Sequence, residues 1–499
     1  MSRKTKLILN TGASFFYQIV IVLCGFILPQ MIINYYGSSA NGLIASITNF
    51  LAFFALTEMG VGAVVRASLY KPLANKDNLE ISKILISSKR FFSKIGLFLV
   101  VYSIVLIAIF PFVSDTDYDF LSTSILIIAI AFCSVSQYLF GVVYEQLLNA
   151  AQRSYATLII SSFTIIASTV ISAIMIKTGF SLQAVKVVAA FVFLARPLLL
   201  KIYARKKFAI DFSVHYTGEP IKQKWNGVAQ HVATFVLKHS DFVVLTFFSN
   251  LKNVSIYYVY NLISNGLHSL VSIASNGFYS LIGDMYAKKE EQKLKDLFAS
   301  FEFGIHVLVV VIYSCAFLLA IPFIKLYTIN VHDANYCIPA FAYVFFIASM
   351  FFCLRTPYYI VVQSVGHFKE TQNSAIIEAV LNVLFSLILV FKYDLLGVAI
   401  GSCVAMVYRT LYLVFYLSKR VLHISITKFF FRMFIDFISL VACIFLCDSI
   451  VSEVNDYMSF VLLGLKVFVI CFFTVSIINI LFYLKKMNRF LQILSKRGV

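Results

Sequence analysis

Long apolar runs, separated by short polar or charged segments, recur along the whole chain. They fall at approximately residues 8–33, 42–65, 91–113, 120–148, 157–176, 182–200, 228–248, 254–283, 299–326, 338–365, 374–390, 396–417, 429–450 and 458–484. An α-helix needs roughly 17–25 apolar residues to cross a hydrocarbon core about 30 Å thick. Backbone in lipid must also satisfy its own hydrogen bonds, which favours helices over open strands. The pattern predicts an all-α integral membrane protein with about fourteen transmembrane helices.

Composition agrees. Of 499 residues, 61% are hydrophobic and 13% charged, against about 45–50% and about 25% in ordinary soluble proteins. This excludes soluble enzymes, secreted disulfide scaffolds and nucleic-acid modules, so no nucleic-acid partner is expected despite a net charge of +18. In a membrane chain the excess of Lys and Arg reports sidedness, because cytoplasmic loops keep it. Alternate connections are basic: residues 66–90, 201–224, 288–295, 419–432 and the tail 485–497. The intervening ones are neutral or acidic, with Asp115, Asp117 and Asp119 in one and Glu453 and Asp456 in another. Both termini are thus expected in the cytoplasm, and the first apolar stretch reads as a span rather than a signal peptide. Cysteines placed at Asn75 and Gln292 should react only with membrane-permeant reagents, and one at Thr116 with impermeant reagents. Labelling of Asn75 by an impermeant reagent in spheroplasts would overturn this topology. No connection exceeds roughly 30 residues, so there is no room for an extramembrane catalytic domain, and the expectation is a transporter rather than an enzyme.

An internal repeat accompanies the spans. Arg196, Tyr203, Lys206 and Lys207 recur as Arg409, Tyr416, Lys419 and Arg420. Pro111-Phe112 recurs as Pro322-Phe323, Lys177 and Ala184 as Lys392 and Ala399, and Tyr144 as Tyr359. The spacing predicts two parallel six-helix lobes related by a pseudo-two-fold along the membrane normal, at 1–222 and 223–425. Residues 426–499 add two C-terminal helices and a basic tail.

Polar positions at helical spacing mark surfaces that lipid would reject and a water-filled cavity would accept. Predicted span eight carries Asn261, Asn265, His268, Ser272, Ser275 and Asn276; span four carries Ser134, Gln137, Gly141, Tyr144 and Glu145; span one carries Asn10, Ser14, Tyr17 and Gln18. Small and hydroxylated residues also hold helices together without any ligand. Ionisable groups deep in spans are costly and point to function: Lys238, His239 and Asp241 in span seven, and Arg355 in span ten. Lys238 and Asp241 could instead be a self-neutralising structural pair. Glu58, Glu145, Arg196, Glu378 and Arg409 lie nearer the cytoplasmic ends, where anchoring competes with cavity lining. Asp436 and Lys466 belong to the non-repeated helices and read as structural or tied to a lipid groove.

No Gly-Lys-Ser/Thr phosphate loop and no HExxH helix is present, so ATP hydrolysis and that zinc chemistry find no support. Cys443 and Cys447 have no His or further Cys in their span to complete a metal site and read as packing. No metal or other cofactor is expected.

Tyr36-Gly37-Ser38-Ser39-Ala40-Asn41-Gly42-Leu43 between the first two spans, Glu58, Gly60 and Gly62 closing the second, Leu69-Tyr70-Lys71-Pro72-Leu73-Ala74 opening the first basic loop, and Val254 to Tyr260 resemble one family. With the helix count, they make the chain similar to the Wzx-type polysaccharide-repeat flippases of the MATE-like MOP superfamily, over roughly residues 1–420. The resemblance implies translocation of an undecaprenyl-pyrophosphate-linked oligosaccharide across the bacterial cytoplasmic membrane by alternating access. It implies Arg355, Lys238, Arg66 and Arg196 as hosts for pyrophosphate, because guanidinium and ammonium groups donate to phosphate oxygens. Asn261, Asn265, His268, Gln137, Tyr144 and Gln18 would meet the glycan, and an apolar groove walled by the last two spans would take the polyprenyl tail. Coupling to H⁺ or Na⁺ would fall to Glu378, Asp241 or Glu58. Expected partners are the lipid-linked oligosaccharide, membrane lipids, and a glycan polymerase with its chain-length regulator. Two rivals share the architecture: a lipid II flippase and a MATE-type exporter of organic cations.

Overall fold

The computed structural model describes residues 3–53, 61–113, 118–214, 228–451 and 454–495. Every regular element among them is helical. In chain order they are α1 (Arg3–Tyr36), α2 (Ser38–Ala52), α3 (Val61–Asn75), α4 (Asn78–Val113), α5 (Phe120–Ser136), α6 (Val142–Ala150), α7 (Ser154–Lys177), α8 (Leu182–Lys207), α9 (Val228–Phe248) and α10 (Leu251–Ser275). There follow α11 (Phe278–Ala287), α12 (Glu291–Tyr327), α13 (Pro339–Leu354), α14 (Thr356–Val365), α15 (Phe368–Arg420), α16 (Thr427–Cys447) and α17 (Tyr457–Ser495). Among the described residues, ten helical stretches are long and apolar enough to cross a membrane. The chain is an all-α, multi-pass membrane protein.

That number is smaller than the span count read from hydropathy for identifiable reasons. α15 joins predicted spans eleven and twelve into one stretch that reverses at Asp394, where φ is 50° and ψ −127°. α2, α9 and α10 occupy the places of predicted spans two, seven and eight. The first is short, and the other two are diluted by residues such as Lys238, Asp241, Asn261 and Asn265.

The chain forms two compact units, residues 1–259 and 260–499. In the first, α2 is fastened by polar contacts as well as apolar ones. Asn41 Nδ2 donates to Ser255 Oγ at 2.8 Å, Ser46 and Thr246 hydroxyls meet at 2.7 Å, and Asn49 Oδ1 lies 2.7 Å from His239 Nδ1. Between them, Gly42 lies so close to Leu251 that a Cβ there would come within 1.8 Å of the Leu251 carbonyl oxygen. The Asn-Gly pair in the first connection therefore serves backbone packing. The core beneath it is built from Leu43, Ile47, Val65, Leu69, Leu85 and Leu147, all fully buried.

In the second unit, α16 is tied to α12 by an ion pair and a histidine–carboxylate contact one helical turn apart. Arg432 Nη1 lies 3.4 Å from Glu302 Oε2, and His306 Nδ1 lies 2.6 Å from Asp436 Oδ2. Glu302 and His306 are spaced i, i+4, as are Arg432 and Asp436, so one face of each helix presents both partners. Arg432, counted from sequence both at the end of a basic connection and inside the span 429–450, is buried inside α16. Lys466, on α17, is exposed.

The backbone repeats where side chains have diverged. Lys76 and Lys289, Gln152 and Gly366, and Gly179 and Asp394 all have positive φ, and each pair falls at the spacing of the sequence repeat. Near the ends of α8 and α15 the repeated tyrosines also reach equivalent turns. Tyr203 Oη accepts from Arg153 Nη1 at 3.3 Å, and Tyr416 Oη lies 3.0 Å from His367 Nδ1. Asp394 carries a Cβ where its counterpart is glycine, a conformation that costs a non-glycine residue about 1–3 kcal/mol. Asp394→Gly should therefore raise the thermal unfolding midpoint of the purified protein, by a stabilisation of about 1 kcal/mol after its own side-chain contacts are lost. A lowered midpoint would show that those contacts outweigh the strain.

Candidate functional site

Predicted span ten is not one helix. Pro357 lacks the N–H that would bond the Cys353 carbonyl, and its ring crowds that turn, so the helix breaks into α13 and α14. The break falls at Arg355. The residue is buried at 7% exposure, and its guanidinium is paired through Nη1 with Glu378 Oε1 on α15. A second guanidinium converges on the same carboxylate, with Arg409 Nε 3.6 Å from Glu378 Oε2. Arg409 is also held in place, donating through Nη1 to the Thr371 carbonyl at 2.9 Å and to Ser374 Oγ. Along its own helix Glu378 has no cation within four residues, but the fold brings two from elsewhere in the chain. Two buried guanidiniums sharing one carboxylate leave local positive charge in excess, in a setting where charge is poorly screened.

The aromatic ring of Phe352 extends this cluster toward α10. Arg355 lies over one side, 4.4 Å from the ring centroid, and the His268 imidazole stacks on the ring at 4.6 Å. His268 Nε2 is 2.8 Å from Ser349 Oγ, which also meets the hydroxyls of Ser264 and Tyr313, each at 2.6 Å. Of the polar stripe on predicted span eight, His268 thus joins a network in the second unit. Asn261 is partly buried and Asn265 exposed. The stripe ends with α10 at Ser275, ahead of the predicted end of the span.

The first unit holds a separate polar cluster. A π-helical turn at Gln137–Gly141 interrupts predicted span four and places Gln137 Nε2 2.9 Å from Glu145 Oε2. A side chain at position 141 would meet Gln137 Oε1 at 2.5 Å, so glycine leaves the path that Gln137 takes. Glu145 also pairs with Arg196 Nη2 at 3.1 Å, and Tyr17 lies within the field of both charges. Arg196 Nε is buried with no hydrogen-bond partner among the described residues, which leaves a donor available. Arg66 Nη1 donates to Gln146 Oε1 at 2.7 Å. Gln18 is partly buried on α1; Tyr144 is buried and packs edge-on against Phe212.

On α9, Asp241 is buried and its Oδ2 accepts from Tyr257 Oη at 2.6 Å, while Lys238 is exposed. Glu58 lies outside the described residues, as does Thr116. Sequence reasoning passed over Glu302, Tyr358, Arg432 and His306. Tyr358 Oη donates to Glu302 Oε1 at 2.6 Å, which joins α14 to the α12–α16 contact. Their signal was present as i, i+4 pairs of ionisable residues on two apolar helices.

No family model matches the sequence, and no curated protein matches it. Solved structures do. A lipid II flippase, MurJ, in an inward closed conformation has a TM-score of 0.73 and 16% identity, covering 96% of this chain and 100% of its own. An inward-facing multidrug resistance MATE family transporter of the MOP superfamily has a TM-score of 0.60 and 13% identity, covering 80% of this chain and 95% of its own. An outward-facing one has a TM-score of 0.54 and 13% identity, covering 86% of this chain and 100% of its own. The chain has the fold of the MOP-superfamily transporters.

Proposed function

We propose that a chain with this fold is a flippase that carries an undecaprenyl-pyrophosphate-linked oligosaccharide across the bacterial cytoplasmic membrane. The observation that carries the reading is the buried cluster of Arg355, Arg409 and Glu378. Buried cations in excess of their carboxylate suit a pyrophosphate, whose oxygens accept the forked donors of arginine. Hydroxyl, imidazole and amide groups on α10 and α13, from His268, Ser349 and Asn261, suit sugar hydroxyls. The fold likeness to MurJ, which takes in almost the whole chain, supports a lipid-linked cargo.

Coupling fits the same cluster. When pyrophosphate draws the Arg355 fork away, Glu378 keeps only Arg409, and uptake of H⁺ or Na⁺ at the released oxygen becomes linked to cargo binding. Asp241, which holds the Tyr257 hydroxyl, is the second candidate carrier. On this reading a glycan polymerase and a chain-length regulator work on the cargo after it crosses.

The MurJ likeness equally favours a second reading, in which the cargo is lipid II. A MATE-type exporter of organic cations is less well supported, because excess positive charge at Arg355 and Arg409 repels such cargo. Deleting the gene separates the first two. Loss of one surface glycan, with its lipid-linked repeat unit accumulating on the cytoplasmic side, is the expected result. Arrest of peptidoglycan synthesis with accumulation of lipid II would replace the proposal with the second reading.

A further inference from the structure

A groove of about 750 Å³ runs along the second unit between α12, α13 and α16. That volume lies within the roughly 300–1,000 Å³ of sites that hold small ligands. Its walls are apolar: Phe317, Ile321, Tyr343, Phe437, Leu440 and Ile444 are among them. Its polar residues gather at one end. Lys325 stands in the last turn of α12 and Asp448 directly follows α16, with Asn455 beyond. This is the end of α12 opposite Lys293 and Lys295.

Length and charge together describe an occupant. From Phe437 to Asp448 the helical rise amounts to about 16 Å. That is about half the thickness of a bilayer's hydrocarbon core, the depth of one leaflet. The groove thus matches one acyl chain lying along the protein with its headgroup at the charged end. Among the described lining residues, that headgroup meets one cation and one anion. A phosphate suits Lys325, and an ammonium suits Asp448, whereas a purely anionic headgroup would set negative charge against Asp448. A polyprenyl chain is much longer than the groove and carries no ammonium.

We propose that this groove binds one phospholipid with a zwitterionic amine headgroup, of the phosphatidylethanolamine class, as a resident lipid distinct from the transported cargo. The site is independent of the Arg355 cluster and of the identity of that cargo. In the full-length protein the lipid fills the seam between α16 and the α12–α13 pair, a seam the Glu302–Arg432 and His306–Asp436 contacts close only nearer the other end of α16.

The test is native mass spectrometry of the detergent-purified full-length protein. It is first offered an equimolar mixture of dioleoylphosphatidylethanolamine, dioleoylphosphatidylglycerol and undecaprenyl phosphate. The expected result is one retained phosphatidylethanolamine per chain, preferred about tenfold over phosphatidylglycerol. Leu440→Trp with Ile444→Trp fills the groove and should lower retention about tenfold with an unchanged unfolding midpoint. Asp448→Asn, at an exposed position, should keep a bound lipid but lose the preference for phosphatidylethanolamine. Absence of retained lipid, equal or better retention of phosphatidylglycerol or undecaprenyl phosphate, or an unchanged preference in Asp448→Asn would overturn the proposal.

Discussion

On the proposed function, Arg355→Ala is expected to reduce export of the lipid-linked cargo by roughly 100-fold or more while the protein still inserts and folds. Charge-assisted hydrogen bonds to a buried anion contribute about 1.5–3 kcal/mol each, and two of them are lost. Folding survives because Glu378 keeps its pairing with Arg409, itself held by Thr371 and Ser374. Arg355→Lys should retain part of the activity, since an ammonium supplies the charge and can sit over Phe352 but cannot present a fork. Surface glycan on intact cells, normalised to membrane-inserted protein, measures both variants. Export by Arg355→Ala at the wild-type level would remove the arginine from cargo recognition.

Glu378→Gln should have the larger effect on stability. It removes the carboxylate that two buried guanidiniums share and leaves them facing each other. Breaking a buried ion pair from one side costs about 3–5 kcal/mol, because an uncompensated charge remains. Thermal unfolding in detergent should show this loss, and Glu378→Gln combined with Arg355→Gln should recover most of it by removing one of the stranded charges. In proteoliposomes, inserted Glu378→Gln should allow slow downhill exchange of lipid-linked oligosaccharide without responding to an imposed ion gradient. Stability equal to wild type in the single variant would mean that the three side chains do not share one charge balance. A gradient response equal to wild type would remove Glu378 from coupling.

The helical architecture was legible because lipid imposes one rule on every spanning segment, and apolar runs of sufficient length obey it. Where that rule says little, the reading was coarser. Pro357 stood in view inside an apolar run, yet hydropathy averages over the break it makes at Arg355. The π turn at Gln137–Gly141 inserts a residue without altering apolar content. The reversal at Asp394 falls in the connection read between residues 390 and 396, but that a single aspartate takes the unusual torsion there was not legible. Site residues divide in the same way. Arg355 was visible from depth alone, because a charge there is costly unless it has a role. Its partners were not, since Glu378 and Arg409 come to it from elsewhere in the chain and only tertiary packing fixes that meeting. His268 was legible as part of a stripe, but Ser349 and Phe352, which fix its position, look like ordinary residues of an apolar helix. Arg432 was read into both a connection and a span because a run of basic residues blurs the boundary between them, and only its ion pair with Glu302 shows that it is buried in the helix bundle.

The three positive-φ positions that recur through the chain give its repeat a register written in the backbone. Lysine stands at both 76 and 289, but glutamine at 152 faces glycine at 366, and glycine at 179 faces aspartate at 394. At each of these turns the two positions share a positive φ even where the residue that adopts it differs. Relatives too diverged to align by sequence can be registered to either half by the positions at which their backbone turns left-handed.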